Sequence, residues 1–428
     1  MELIDKLKEE FKQWPNKFYL VGGSIRDLLQ GKESEDIDLV AQIPAEELLA
    51  IGCKFIDPTS AYPVFILKHE TLGKIDIALP RIEKKIGPGH KGFKTFSNHR
   101  LSIEKDLERR DFTINSMALR LTDSKLYDPF NGVNDLKRFV LLHTNEEAFV
   151  EDPLRVFRAY RFCTYGFVID DSTKYLITNM KVNDLIPERV FTELIKAMEK
   201  EHPSRFFESL IELGTGKEFF DPIFKMQDIP AGPFEFHPER DVLVHSIQAL
   251  NKISKLTKDP YIRLSVFLHD LGKIKTSPDE WPAHHEHEKV GVEILEKLLN
   301  DLKAPTKLID MAKGVMRHHM RAPKMSTREM KPSKWVKLAK EAMDRGFDDA
   351  LVLTCLVDGN INIKKEMELA KRVNKMNVWE LGLTPEFFVD RSGKAIGETV
   401  LQKRIGKLKH LLREEGVICS DTNASPAD

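Results

Sequence analysis

Two aspartates separated by one residue, Asp36 and Asp38, form the acidic pair of this sequence with the clearest chemical use. They lie in the alternating stretch 36–40, which predicts a β-strand, and side chains two apart on a strand share one face. Carboxylates on one face repel each other unless a cation lies between them, and Mg²⁺ is typically held by carboxylates together with substrate phosphates. The alternative is a surface hairpin with two solvated aspartates.

A glycine pair precedes these aspartates. The apolar run Phe18–Val21 predicts a short strand that ends at Gly22-Gly23, and a helix is expected to start near Ser24. Glycine lets backbone N–H groups approach a phosphate closely, and a helix directs the positive end of its dipole to its N-terminus. Arg26 would then hold a triphosphate oxygen. The elements that position the chemistry are therefore strand, glycine turn, helix, turn and strand.

The combination G-G-x-x-R-D, a short spacer and D-x-D resembles the first motif of the polymerase-beta-type nucleotidyltransferases. Within that group the chain is most similar to the bacterial (class II) tRNA CCA-adding enzymes and poly(A) polymerases. The resemblance implies that Asp36 and Asp38 are catalytic and bind Mg²⁺. It also implies that Gly22, Gly23 and Arg26 bind the nucleotide.

Residues 109–119, RRDFTINSMAL, follow the order of a second motif of this family, R-R-D-F-T-I-N-A-M. Read without the family, the triplet predicts an aspartate that caps an apolar helix. In the family the Arg-Asp pair meets the ribose hydroxyls, which implies nucleotide-binding roles for Arg110 and Asp111. A carboxylate can accept a hydrogen bond from a 2′-hydroxyl, so this pair would select ribonucleotides over deoxynucleotides.

Residues 151–162, EDPLRVFRAYRF, predict a helix with Pro153 in its first turn, where proline is tolerated. Charged residues at three-residue spacing lie roughly on one face of that helix: Asp152, Arg155, Arg158 and Arg161. A salt-bridged surface helix has the same pattern. In CCA-adding enzymes of this class, however, E-D-x-x-R is the protein template for the incoming base, which implies nucleotide-binding roles for all four residues.

A template made of a carboxylate and a guanidinium has a chemical basis. Cytosine and adenine present an amino donor beside a ring-nitrogen acceptor, whereas uracil and guanine present a carbonyl beside a ring N–H. Asp152 with Arg155 would complement the first two bases and mismatch the other two. Because an unpaired buried polar group costs about 1–3 kcal/mol, two mismatches would discriminate well.

Histidines concentrate in the middle of the chain, where eight of the fourteen fall between His237 and His319. The order H…HD…H…H…D, with His269-Asp270 in a predicted helix, resembles the HD superfamily of metal-dependent phosphohydrolases. Matching motif to motif assigns four residues to one metal ion: His245, His269, Asp270 and Asp358. The resemblance implies phosphatase and 2′,3′-cyclic phosphodiesterase activity.

A second metal ion would be held or assisted by further histidines. The predicted ligands are His287 and His318, with His319 as the alternative to His318, and the sequence leaves His284 and His285 open. Sites rich in imidazole suit transition metals such as Ni²⁺, Mn²⁺, Co²⁺ or Fe²⁺ better than Mg²⁺. Such an ion lowers the pKa of bound water and polarises a phosphate ester.

A length of 428 residues is too great for one hydrophobic core and indicates two to four domains. The expected fold class is α+β: a polymerase-beta-type nucleotidyltransferase head with a small mixed sheet and helices, followed by all-α neck, HD and tail domains. The predicted boundaries are 1–145 for the head, 146–230 for the base-recognition and RNA-binding neck, 231–365 for the HD domain and 366–428 for the helical tail.

Composition limits partners and location. With a net charge of −1, any nucleic acid must be met by local basic patches. No apolar run approaches the length of a bilayer span, and the charged N-terminus is not a signal peptide. Four scattered cysteines predict neither a disulfide framework nor a zinc ribbon. We therefore expect a cytoplasmic protein with no membrane partner.

Several further stretches leave two interpretations open. Asp76 is either a third carboxylate of the first site or an edge-strand aspartate. The basic stretch 83–97 is either a loop that closes over nucleotide and primer or an ordinary surface loop. The basic stretch 403–413 either reaches the tRNA body or forms a solvated helix face. Residues 186–194 are expected to support the base template, and residues 420–428 are expected to be disordered.

The expected function is the template-independent addition of CCA to tRNA with CTP and ATP, together with a second, HD-domain activity. A poly(A) polymerase or an A-adding enzyme with the same head is the first alternative. The others are a phosphohydrolase whose transferase head only binds, and a non-catalytic RNA-binding module. The sequence leaves the oligomeric state open.

Overall fold

The computed structural model describes residues 2–32, 36–55, 64–85, 93–235, 239, 241–389 and 392–415. The chain forms two compact units, one from residues 1–197 and 205–218 and the other from residues 198–204 and 219–428. The finer division into four domains remains a prediction, and residues 420–428 lie outside the described residues. In the described part of the chain, no helix has the length and apolarity that crossing a membrane would require.

The strands that the structure describes lie in the first unit. In chain order they are β1 (Phe18–Val21), β2 (Ile37–Ala41), β3 (Lys54–Phe55), β4 (Val64–His69), β5 (Gly73–Ala78), β6 (Arg81–Lys85), β7 (Phe93–Ser97), β8 (Ala118–Arg120), β9 (Leu126–Tyr127), β10 (Val140–Leu141) and β11 (Val168–Ile169).

Helices accompany the strands and predominate in the described part of the second unit. The first eleven are α1 (Glu2–Glu10), α2 (Gly22–Leu29), α3 (Ala45–Ala50), α4 (Ile103–Glu108), α5 (Gly132–Arg138), α6 (Glu146–Glu151), α7 (Leu154–Cys163), α8 (Asp171–Asn179), α9 (Pro187–Met198), α10 (Ser204–Leu213) and α11 (Lys217–Phe224). The others are α12 (Val242–Ser254), α13 (Pro260–Phe267), α14 (His287–Asp301), α15 (Thr306–His318), α16 (Pro332–Arg345), α17 (Asp348–Gly359), α18 (Lys364–Lys375) and α19 (Gly393–Glu414).

Seven strands form one mixed sheet in the order β3-β4-β5-β2-β1-β8-β9. Strands β2 and β5 run parallel, whereas β1 is antiparallel to both of its neighbours, β2 and β8. Both faces are covered. Phe18 and Leu20 pack with Leu7 of α1 on one side, and Tyr19 and Val21 pack with Leu107 of α4 on the other. This arrangement, together with the helical remainder, confirms the predicted fold class.

The structure corrects four secondary-structure predictions made from the sequence. The basic stretch 83–97 contributes to an antiparallel hairpin of β6 and β7, with residues 86–92 outside the described part. The apolar helix expected after the Arg-Arg-Asp triplet is a 3₁₀ turn, Thr113–Asn115, followed by β8. Helix α7 begins only at Leu154, which leaves Asp152 in the turn after α6. His269-Asp270 follow the end of α13.

Local chemistry explains two of these differences, the 3₁₀ turn after Asp111 and the late start of α7. The Asp111 carboxylate accepts the N–H of Phe112, an interaction that competes with continued helix, and the chain then pairs with β1 instead. Proline cannot donate an intrahelical hydrogen bond and disfavours helical backbone in the residue before it. Pro153 therefore separates α6 from α7.

A buried arginine joins separate backbone segments of the second unit. The Arg263 guanidinium is 2% exposed and donates to the carbonyls of Met198 (2.6 Å), Lys200 (2.7 Å) and Ser254 (2.9 Å), and its Nε donates to Thr257 (2.7 Å). These carbonyls follow or end the helices α9 and α12, where backbone acceptors lack intrahelical partners. Arg263 therefore joins the segment 198–204 to the end of α12.

Replacing Arg263 with alanine should destabilise this unit, because four buried or half-buried carbonyls would lose their donor. We expect a loss of about 2–4 kcal/mol, measured by urea unfolding followed by circular dichroism. Lys258→Ala, at an exposed position on the same connection, serves as the control and should leave the transition unchanged. Equal transitions for both variants would contradict this joining role.

Candidate functional site

The glycine turn brings a carboxylate and a guanidinium close together. Gly22 has a φ of +66°, and a Cβ added there would lie 3.4 Å from Arg110 Nη1 and 3.5 Å from Asp38 Oδ2. Any other residue would suffer backbone strain at this φ, and its Cβ would contact both groups. Helix α2 begins directly at Gly22, so the first N–H groups of the helix lie beside Asp38 and Arg110.

Asp38 interacts electrostatically with Asp36 and Asp76 near this turn, and we call these three residues the carboxylate cluster. Asp38 and Asp76 are register partners on the parallel strands β2 and β5, and Asp36 lies one residue before β2. Ser24 joins α2 to the start of β2, because its hydroxyl donates to the Asp36 carbonyl (2.8 Å) and accepts from the Asp38 N–H (2.9 Å). Since β5 lies between β4 and β2, Asp76 is not on an edge strand.

The carboxylate cluster is short of positive charge. Burial raises the pKa of Asp38. The neighbouring carboxylates of Asp76 and Asp36 raise this pKa further, and Arg110 opposes the shift. Lys74 Nζ lies 2.7 Å from Asp76 Oδ2, but Asp76 Oδ1 is buried and has no hydrogen-bond partner among the described residues. A divalent cation fits such a set of oxygen donors.

Arg26 remains beside the glycine pair but is already engaged. A Cβ on Gly23 would lie 3.6 Å from Arg26 Nη2. The guanidinium donates to Asn115 Oδ1 (2.9 Å), pairs with Asp27 (3.1 Å) and lies 5.4 Å above the centre of the Phe162 ring. Arg26 thus lies between the glycine turn and helix α7.

Asp106 is a buried carboxylate that the sequence analysis missed. It pairs with Arg109 (2.6 Å) and Arg110 (2.9 Å), accepts the N–H of Arg81 (3.2 Å), and is fully buried. Burial acts to raise its pKa, but the two arginines outweigh burial and hold it at about 2. The spacing of three and four residues between Asp106 and these arginines was the available signal.

Asp111 is paired inside the protein. Its Oδ2 accepts from Arg158 (2.7 Å from Nε), and its Oδ1 accepts from the N–H of Phe112 (2.9 Å) and the amide of Asn115 (3.0 Å). Burial opposes ionisation of Asp111, but Arg158 and Arg155 hold its pKa well below the usual range. The structure therefore brings Arg158 of α7 to the Arg-Arg-Asp triplet.

The other predicted template residues are more dispersed. Arg155 is buried and donates to the carbonyls of Arg109 (2.5 Å) and Ala148 (2.7 Å). Asp152 lies 3.2 Å from Arg189 of α9, which the sequence analysis did not single out within its motif. Arg161 pairs with the buried Glu193 (2.5 Å), also on α9.

Helix α9 therefore supplies a partner to Asp152 and another to Arg161. This placement agrees with the expected supporting role of residues 186–194. The expected single-face alignment of Asp152 with the arginines fails, because Asp152 precedes α7.

Imidazoles and carboxylates converge in the second unit. The ligand atoms of His245, His269 and Asp358 lie within 4.8 Å of one another, and so do those of His269, Asp270 and His319. His287 joins this second group, with Nε2 3.2 Å from Asp270 Oδ1. We call these six residues the histidine–aspartate cluster. Asp270 is 2% exposed and His269 is fully buried.

The hydrogen bonds of these histidines determine which ring nitrogen can bind a metal. Nδ1 of His269, His287 and His319 lies within 2.7–2.9 Å of the carbonyls of Val266, His284 and Met316, respectively. A carbonyl can only accept, so each Nδ1 carries the proton and each Nε2 of a neutral ring presents a lone pair to the centre.

Those lone pairs face other acceptors. His269 Nε2 lies 3.4 Å from Asp270 Oδ2 and 3.6 Å from Asp358 Oδ1, and it has no hydrogen-bond partner among the described residues. Burial lowers the pKa of His269, but the two aspartates outweigh burial and raise it to about 9. A buried set of donors that needs a positive charge fits a divalent metal ion.

His319, and not the predicted His318, takes part in the cluster. His319 Nε2 lies 3.4 Å from Asp270 Oδ1, whereas His318 Nε2 lies 3.3 Å from Glu341 and the His318 ring stacks on Phe347. Consecutive residues at the end of a helix point about 100° apart, so only one of the pair can face Asp270. The sequence had offered His319 as the alternative.

The two histidines that the sequence left open lie elsewhere. His284 is buried and bonds to Thr276 (2.6 Å) and to the carbonyl of Pro230 (2.6 Å), while His285 is exposed. Lys273, missed by the sequence analysis despite its spacing of three from Asp270, pairs with that carboxylate at 2.6 Å.

Two glycines bring the elements of the cluster together. A Cβ on Gly272 would lie 2.0 Å from the carbonyl of His287, and one on Gly291 would lie 2.6 Å from Cα of Gly272. The 3₁₀ helix Leu271–Lys275 can therefore pack directly on α14. This close approach places His287 against Asp270.

Three family models match the chain. Residues 18–142 match the poly A polymerase head domain, residues 166–227 match the probable RNA and SrmB-binding site of polymerase A, and residues 242–345 match the HD domain. The first of these ranges includes the carboxylate cluster at Asp38, and the third includes all of the histidine–aspartate cluster except Asp358.

Solved structures share the fold. The Bacillus stearothermophilus CCA-adding enzyme in complex with CTP has a TM-score of 0.63 at 19% identity, covering 96% of this chain and 97% of that chain. The Thermotoga maritima CCA-adding enzyme complexed with tRNA has a TM-score of 0.59 at 21% identity, covering 96% and 94%.

Closer relatives cover almost the whole chain. The multifunctional CCA protein of Acinetobacter baumannii (strain AYE) is 35% identical over 412 residues, which are 91% of this chain and 96% of that protein. That of Legionella pneumophila subsp. pneumophila (strain Philadelphia 1) is 33% identical over 414 residues, or 92% and 98%. With both clusters in place and full-length likeness at this level, the chain belongs to the family of multifunctional CCA proteins.

Proposed function

We propose that this protein adds CCA to the 3′ end of tRNA from CTP and ATP. The observation that carries the proposal is the carboxylate cluster of Asp38, Asp76 and Asp36 beside the glycine turn, in a chain that resembles multifunctional CCA proteins over nearly its full length. A poly(A) polymerase is disfavoured because these full-length relatives are CCA proteins.

The tRNA 3′-hydroxyl would attack the α-phosphate of the nucleotide, and pyrophosphate would leave. Asp36 and Asp38, with support from Asp76, would hold Mg²⁺, which when bound activates the hydroxyl and stabilises the leaving charge. The N–H groups of Gly22 and Gly23 would bind the triphosphate. Arg26 would leave the Phe162 ring to join them.

The base would be read next to helix α7. Asp152 would accept from the amino group shared by cytosine and adenine, and guanidinium groups would donate to the ring nitrogen. The proposed nucleotide-binding residues are Arg110, Asp111, Asp152, Arg155, Arg158 and Arg161. For Arg155 to reach a base, it must release the carbonyls of Arg109 and Ala148 that it contacts in this structure. Base binding and a rearrangement of the Arg155 side chain would therefore accompany each other.

The histidine–aspartate cluster would be a second, phosphohydrolase centre. Its imidazole-rich donor set favours Ni²⁺, Mn²⁺, Co²⁺ or Fe²⁺ over Mg²⁺, and such an ion when bound activates water for attack on a phosphate ester. Phosphatase and 2′,3′-cyclic phosphodiesterase activities are the proposed reactions. We also propose a cytoplasmic location, which suits the free buried thiols of Cys53, Cys163 and Cys355.

The first test of nucleotide addition uses the purified protein, Mg²⁺ and a tRNA transcript that lacks its last three nucleotides. With CTP alone we expect two additions, and with CTP and ATP together a third, resolved at single-nucleotide length on a gel. Chelation of Mg²⁺ should stop all additions. A long ladder with ATP alone would indicate a poly(A) polymerase instead, and no extension under any condition would exclude the transferase function.

The two centres should be separable by substitution. Asp36→Ala should lower incorporation by at least about 10³-fold, as expected when a metal-binding catalytic group is lost, and should retain hydrolysis of 2′,3′-cyclic AMP. His269→Ala should show the reverse pattern. Asp5→Asn, at an exposed position on α1, is the control and should retain both activities. Loss of both activities in a folded Asp36→Ala protein would contradict two independent centres.

A further inference from the structure

The histidines of the cluster are oriented in two different ways. His269, His287 and His319 each direct Nδ1 to a carbonyl three residues earlier, and each lies at or next to a helix end. Helix ends and turns leave backbone carbonyls without intrahelical partners. The local backbone therefore accepts the Nδ1–H of each of these three imidazoles.

His245 is placed differently. It lies in the first turn of α12, with its N–H bonded to the carbonyl of Asp241 at 3.0 Å. Carbonyls at this end of a helix accept from residues four positions later and point along the helix axis. An imidazole at this position needs a side chain to fix its ring.

Glu239 supplies that side chain. Its Oε1 lies 2.7 Å from His245 Nδ1, and both side chains are buried, with 8% and 7% of their surface exposed. A carboxylate can only accept, so Nδ1 carries the proton. Nε2 of His245 then points at Asp358 Oδ1, 3.1 Å away.

The charge of Glu239 has a second effect. A carboxylate hydrogen-bonded to the outer nitrogen makes an imidazole more basic and a stronger metal ligand than a carbonyl does. The N-terminus of α12 also favours a negative charge at this place, because the helix dipole directs its positive end there. Glu239 therefore meets two positive partners, the helix end and the His245 N–H.

We propose that Glu239 is a positioning residue of the metal centre: it fixes the ring and tautomer of His245 so that Nε2 faces the metal ion. The proposal rests on the second half of the proposed function, the phosphohydrolase centre. It concerns a residue that none of the matched motifs pointed to, and one that contacts a ligand without being one.

The test is metal affinity measured on the full-length protein. Ni²⁺ is titrated into the metal-free protein by calorimetry, in excess Mg²⁺ to occupy the carboxylate cluster of the first unit. Glu239→Ala should weaken Ni²⁺ binding about 10–100-fold. Glu239→Gln keeps an acceptor for Nδ1–H but loses the charge, so its affinity should lie between those of the wild type and the alanine variant.

Controls separate positioning from folding. Glu235→Ala, at an exposed position in the same connection, should bind Ni²⁺ as the wild type does. Thermal unfolding of the metal-free proteins shows whether each variant is folded, and the absorption bands of Co²⁺-loaded protein show whether the ligand set has changed. If Glu239→Ala does not fold, Glu239→Gln carries the test by its weakened affinity and shifted Co²⁺ bands.

The outcomes are distinct. Wild-type affinity and wild-type Co²⁺ bands in a folded Glu239→Ala or Glu239→Gln protein would overturn the positioning role. A reduced binding stoichiometry, with the remaining sites unaffected, would make Glu239 a ligand and would overturn it too. Failure of the wild-type protein and of Glu235→Ala to bind Ni²⁺ would instead reject the metal centre itself.

Discussion

Buried carboxylates need a positive charge, and this protein meets the requirement in two ways. Asp106 and Asp111 are paired with arginines, which outweigh burial and hold their pKa values low. Asp38, by contrast, faces other carboxylates, and burial raises its pKa. The charge of the first kind of carboxylate is already balanced by arginines within the protein. The second kind leaves room for a cation. In the second unit, by contrast, burial acts to raise the pKa of Asp270, but His269 and Lys273 outweigh burial and hold that pKa well below the usual range.

Close backbone packing brings several of these groups together. Gly22 lets Arg110 and Asp38 approach the start of α2, and the contact of Gly272 with Gly291 lets His287 reach Asp270. At Gly22 the neighbouring groups are charged side chains, whereas at Gly272 and Gly291 the neighbours are mainly backbone atoms of the facing segment. Gly22 thus permits the short distances to Arg110 and Asp38, and the Gly272–Gly291 contact permits the short distance between His287 and Asp270.

Sequence reasoning found the residue types of both centres because their spacing is local: two residues on a strand, or adjacent positions in a motif. It could not decide features that depend on distant pairing. Asp76 joins Asp38 only through the parallel pairing of β2 with β5. The choice of His319 over His318 depends on how α15 is rotated about its axis, and Glu239 meets His245 through the path of the chain before α12. The three-residue spacing of Arg155 from its charged neighbours also could not predict that its guanidinium donates to backbone carbonyls.

The contact of Arg26 with the Phe162 ring connects α2, the helix that starts at the glycine turn, to α7. Arg26 belongs to the glycine turn and Phe162 to the helix that carries Arg155, Arg158 and Arg161. A guanidinium has one position at a time, so it cannot cover the ring and grip a phosphate further away. If a bound triphosphate draws Arg26 away from the ring, as in the proposed function, the contact of Arg26 with α7 changes as well. The two ends of a nucleotide would then be linked through a single shared side chain.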